Sequence, residues 1–190
     1  DRAGGSTQKG RNLGAGLGHL HGEWSKLTVW SIAVVAALLF FGSVLAHELA
    51  HSLFARSRGI PVKTITLFLF GGVSSIGKEP DSPRSEFVMA ILGPVTSLVI
   101  GGVLLAITGA IAGPVGAEGI DPTEAAREMG PAVTVLLWLG SINVILGVFN
   151  LVPGFPLDGG RVLRSVLWAI MGDFRRATRA ATWAGQGIGL

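Results

Sequence analysis

The chain has no cysteine and no tyrosine, and only 14% of its 190 residues are charged. Without cysteine there are no disulfides, thiolate metal ligands or cysteine nucleophiles. Without tyrosine, proton transfer falls to His, Asp, Glu, Lys or water. The shortage of charge is the most restrictive absence. An ordinary soluble domain carries about 25% Asp, Glu, Lys and Arg, so this chain cannot cover a water-facing surface of its size. That argues against a soluble enzyme, a disordered tail and a nucleic-acid-binding protein, and no nucleic-acid partner is expected. A pI near 10.0 rests on a formal charge of only +3 and does not alter the reading. What is abundant is apolar: 49% hydrophobic residues and a mean hydropathy of +0.57. The composition predicts a membrane protein, with the lipid bilayer as its solvent.

The few charges form islands. Residues 1–26 hold Arg2, Lys9, Arg11 and Lys26, and residues 55–86 hold Arg56, Arg58, Lys63, Lys78 and Arg84. Residues 113–130 are acidic, with Arg127 as the one base, and residues 156–181 hold Arg161, Arg164, Arg175, Arg176 and Arg179. Between them lie Leu27–Ala55, Phe87–Ala112 and Pro131–Val152. Each exceeds the roughly 20 residues a helix needs to cross the hydrocarbon. The bases predict that the 55–86 and 156–181 islands share the cytoplasmic side and that 113–130 lies outside.

Three parts are expected: a polar loop or tail over 1–26, a core over 27–171, and a basic cytoplasm-side segment over 172–190. The four bases of the first part would lie outside, against the rule, so it is expected to follow an earlier span. The last part turns apolar after Ala180, as a further span would begin.

The first run contains His47-Glu48-Leu49-Ala50-His51. Helical positions i and i+4 share a face, so both imidazoles can reach one metal ion. Glu48 is then placed as general base on water, the H-E-x-x-H logic of zinc hydrolases. His47 lies about 9 residues, roughly 13 Å, before Arg56, which puts three ionisable groups inside the membrane near its cytoplasmic side. Such groups are costly there unless they bind something or face water; the plain alternative is a polar cluster stapling helices together.

A catalytic zinc needs a third protein ligand and an open position. His19 and His21 read as solvated loop residues on the other side. Asp158 is the better candidate. It lies in Asn150-Leu-Val-Pro-Gly-Phe-Pro-Leu-Asp158-Gly-Gly-Arg161, where Pro153 and Pro156 break a helix and an extended or re-entrant loop is expected. Such backbone is tolerated at membrane depth only when buried in protein or lining a wet cavity.

Here the sequence resembles the site-2 proteases, the intramembrane zinc metalloproteases. The resemblance rests on HELAH (47–51) and NLVPGFPLDGG (150–160), with support from LFLFGGV (67–73) and Leu92-Gly-Pro94. It covers about Val29–Leu167. It implies one zinc ion per chain held by His47, His51 and Asp158, with Glu48 catalytic. It implies that Asn150 helps hold the substrate backbone or the transition state, and that Phe70, Gly71 and Gly72 belong to a membrane-associated β-hairpin able to pair with an extended substrate. The implied fold is an all-α integral membrane protein with three core transmembrane helices, that hairpin, and a Pro/Gly loop carrying the third zinc ligand. The implied substrate is a single-span membrane protein, often a membrane-anchored regulator in regulated intramembrane proteolysis, and the implied location a prokaryotic plasma membrane.

Read without the resemblance, Thr64–Val73 favours a strand and turn, and Gly93-Pro94 a kink or close packing. Asn150 could cap its helix, Arg161 and Arg164 read as snorkelling or headgroup contacts, and 157–171 as a shallow amphipathic helix. Two other functions use the same polar cluster. An ion transporter normally shows repeated halves, and no internal repeat is present; a non-catalytic binder of membrane segments has no need of Glu48.

Overall fold

The computed structural model describes residues 25–68, 71–76, 80–112 and 129–188. The N-terminal tail with His19 and His21, Phe70, and most of the acidic island lie outside them.

Helix α1 (Lys26–Ser57) is capped by Ser25, whose Oγ accepts from the Thr28 N–H at 3.1 Å. It ends where Gly59 takes a left-handed φ of 72°. There the Gly59 N–H reaches the Arg56 carbonyl and the Ile60 N–H the Ala55 carbonyl, both at 3.0 Å. This Schellman closure folds Ile60 back onto Ala55 and Met89 in a small apolar cluster. Strands β1 (Val62–Phe68) and β2 (Gly71–Ile76) follow, paired antiparallel with Leu67 opposite Gly72 and Phe68 opposite Gly71.

Helix α2 (Pro83–Ala112) starts at a Ser-Pro signal, with the Ser85 N–H bonded to Ser82 Oγ at 3.3 Å and proline at its first position. Helix α3 (Pro131–Asn150) also begins on proline. The α2–α3 crossing is tight because it uses glycines. A Cβ at Gly101 would lie 2.8 Å from the Gly140 carbonyl oxygen, and one at Gly147 3.0 Å from that of Pro94. In lipid, where hydrophobic burial cannot drive association, such close backbone approach is what holds helices together.

These three helices are long and apolar enough to cross a membrane. Their apolar residues run all round rather than along one stripe, and Leu38 on α1 is 67% exposed, as expected of a lipid-facing surface. Beyond α3 the chain turns through residues 151–157 into α4 (Asp158–Met171) and α5 (Phe174–Ile188). Both are two-faced. On α5, Ala177 and Ala181 are buried while Arg175, Arg176 and Arg179 are exposed. Asp158 stands where the Pro/Gly loop passes into the helix expected over 157–171, as that helix's first residue, where the dipole favours a negative charge.

Candidate metal centre

His47, Glu48 and His51 sit on the buried side of α1. The helical i, i+4 spacing brings the two imidazoles to a ring separation of 5.0 Å. The turn after α3 carries Asp158 to the same point. Its Oδ2 lies 3.1 Å from His47 Nε2 and 3.1 Å from His51 Nε2. One donor atom from each of the three falls within 4.8 Å of the others, though 107 positions separate His51 from Asp158.

The partners behind these ligands decide what the cluster can hold. His51 Nδ1 lies 2.6 Å from the Met89 carbonyl oxygen. A carbonyl only accepts, so Nδ1 carries the proton; a protonated ring then donates Nε2–H to the Asp158 carboxylate, whereas a neutral ring turns a bare Nε2 lone pair towards that oxygen. The second contact repels unless positive charge lies between. His47 Nδ1 is held 2.9 Å from Ser97 Oγ, which again leaves Nε2 for the shared point. Tetrahedral zinc bonds of about 2.0–2.1 Å set neighbouring donors about 3.3 Å apart, close to the 3.1 Å found. Two imidazoles and a carboxylate also make the three-ligand set of a catalytic zinc site with one position open. The residues fit zinc.

One face of α2 forms the other wall. Met89, Gly93 and Ser97 recur every fourth residue. Met89 and Ser97 hold the two Nδ1 atoms, and Gly93 lies against both Nε2 atoms. A Cβ built at Gly93 would stand 2.6 Å from His47 Nε2 and closer still to His51 Nε2. The sequence suggested only a kink or packing role for Gly93, and it gave no sign of Met89 or Ser97. Met89 acts through its backbone carbonyl, which every residue has, so its side chain carried no signal.

Other expected site residues fall elsewhere. Asn150 closes α3, and its amide donates to the Leu146 carbonyl at 2.9 Å. Gly71 and Gly72 open β2, and both strands lie against α1. Arg164 differs from its expected headgroup role. It is paired with buried Glu86 of α2, and Arg161 meets the Met89 sulfur at 3.2 Å.

The chain is similar to known proteins. Residues 35–112 and 107–190 match the family model of Peptidase family M50. The chain belongs to peptidase family M50. The M50 likeness extends to a solved structure, the site-2 protease from Methanocaldococcus jannaschii, with a TM-score of 0.58 and 30% identity over 85% of this chain and 72% of that one. A Synechocystis protein with a provisional zinc-metalloprotease name is 44% identical over 162 residues, 85% of this chain and 39% of its own length. Rip3 of Mycobacterium tuberculosis, named in the same provisional way, is 38% identical over 169 residues, 89% of this chain and 40% of its own. The chain therefore spans about two fifths of these curated relatives. As an M50 chain with three helices of membrane-crossing length, it is a membrane protein.

Proposed function

We propose that the protein is an intramembrane zinc metalloprotease that hydrolyses a peptide bond within or next to a transmembrane segment of a single-span, membrane-anchored substrate. The observation that carries this reading is the convergence of His47 Nε2, His51 Nε2 and Asp158 Oδ2 beside Glu48. The order of these residues matches the site-2 protease resemblance. A regulatory protein cut in regulated intramembrane proteolysis is the substrate this likeness favours. The cytoplasmic face of a prokaryotic plasma membrane is the matching location, by the basic islands at the ends of α1 and α3.

His47, His51 and Asp158 would hold the zinc ion, which when bound would supply Lewis acidity towards a carbonyl and a water molecule. The residues of the chain do the rest. Met89 and Ser97 hold both imidazoles in the orientation that offers Nε2. Glu48 takes the proton of the attacking water and delivers it to the leaving amine. Asn150, released from Leu146, donates its amide to the charge developing on the substrate carbonyl. A transmembrane helix hides its carbonyls in i to i+4 hydrogen bonds, so the substrate unwinds before attack. As the site-2 protease resemblance implies for Phe70, Gly71 and Gly72, pairing of the unwound substrate with this segment by strand addition replaces the lost bonds.

The test is zinc content together with cleavage of single-span substrates by the chain in detergent. Glu48→Gln is expected to keep one zinc per molecule and lose activity by about 10²–10⁴-fold, the share of a general base. Asp158→Ala is expected to purify without zinc and to keep only the weak, still measurable affinity of the two imidazoles. A folded chain without zinc, or a Glu48→Gln variant that cleaves normally, rejects the reading.

A further inference from the structure

Glu86 is fully buried in the first turn of α2. Its Oε1 accepts from Arg164 Nε at 2.8 Å and also from Nη2 of the same residue. The Arg164 guanidinium is in turn packed over Phe155 of the connecting loop, 5.4 Å from its centroid, and over Phe174 of α5, at 4.8 Å. One arginine thus ties together α2, α4, α5 and the loop that delivers Asp158.

A buried ion pair is poor evidence of stability, because desolvating both charges cancels much of their attraction; its best-attested use is to fix register. Register is what this site requires. Asp158 precedes Arg164 on α4 by about 9 Å of helix. Glu86 precedes Met89 on α2 by less than one turn, and the Met89 carbonyl orients His51. Arg161, between Asp158 and Arg164, meets the sulfur of that same Met89. The helix bearing the third ligand is therefore pinned to the helix that aims the first two. A slip of α4 by one residue moves Asp158 by about 1.5 Å, well beyond the roughly 0.2 Å that metal–ligand distances tolerate.

We infer that Glu86 and Arg164 are positioning residues of the metal centre, a buried pair that sets where Asp158 stands relative to His47 and His51. The inference rests on the proposed zinc site. It is tested by a double-mutant cycle on zinc affinity, measured by competition with a chelator, using Glu86→Gln alone and in an Asp158→Ala background. Glu86→Gln alone is expected to weaken zinc by about 10–100-fold, as for residues that orient a ligand. It is also expected to shift the visible spectrum of the cobalt-loaded protein, with far-UV dichroism unchanged. In the Asp158→Ala background there is no ligand left to position, and the further loss should stay below about twofold. Equal losses in both backgrounds, or none in either, overturn the inference. Should Glu86→Gln not fold, Arg164→Lys, which keeps the charge but not the planar fork, is read in the same cycle.

Wild type without zinc rejects the metal site and this inference together. Zinc binding with the expected coupling but no cleavage rejects only the peptidase reading.

Discussion

Gly93→Ala should separate folding from metal binding. The added Cβ would lie 2.6 Å from His47 Nε2 and from His51 Cε1, and nearer still to His51 Nε2. Ordinary contact begins at 3.4 Å, so the rings or α2 must yield by at least 0.8 Å. That is about four times the displacement a metal–ligand bond tolerates. Disturbing a residue behind one ligand costs roughly 10–100-fold in affinity. Moving two ligands together should cost at least about 100-fold, or about 2.8 kcal/mol at 1.4 kcal/mol per decade. Helix propensity runs the other way, since Ala is better than Gly by about 0.8–1.0 kcal/mol, so the variant should remain folded. Gly102→Ala is the control, because a Cβ there meets nothing within 4 Å. Chelator competition reads zinc affinity and a thermal melt reads the fold. If Gly93→Ala binds zinc within about threefold of wild type, the assigned wall of the site is wrong.

Two further outcomes are expected. Ser97→Ala removes the partner of His47 Nδ1 and should weaken zinc by about 10–100-fold, a loss that Ser97→Thr, which keeps a hydroxyl, reduces. Asp173 Oδ1 caps α5 by accepting from the Arg176 N–H at 2.9 Å, and this bond holds its carboxyl below the usual value. Its stabilising effect is therefore complete above the unfolded value near 3.9 and is lost as pH falls through the lower folded value. Amide exchange in α5 should quicken over that acid range, and Asp173→Asn, an uncharged cap, should flatten the dependence.

The spans were legible because the bilayer makes a simple demand on composition. The apolar runs 27–55, 87–112 and 131–152 lie within a few residues of α1, α2 and α3. The differences arise at the ends, where Ser25 and the Ser82-Pro83 pair let polar turns join the helices. The HELAH spacing placed both imidazoles on one helix face because both residues share one local geometry. What was hidden depends on contacts distant in sequence. Glu86 is the last residue of the 55–86 island, and Arg164 read as a headgroup contact; 78 positions separate them, and no local pattern connects them. Gly93 looked like a packing residue because a missing side chain does not announce what fills its space. The helix expected over 157–171 begins at Asp158, because Pro153 and Pro156 confine the irregular stretch to the residues before it.

The row Met89, Gly93, Ser97 has a consequence for how this segment can vary. Lipid asks of α2 only that it be apolar and long, and it accepts almost any exchange of Leu, Val, Ile or Ala. The imidazoles ask for an interval. One residue inserted between positions 89 and 97 would turn Ser97 by about 100° around the axis and advance it by about 1.5 Å, away from His47. Composition is forgiving there and counting is not. The segment should tolerate many substitutions while rejecting any insertion or deletion.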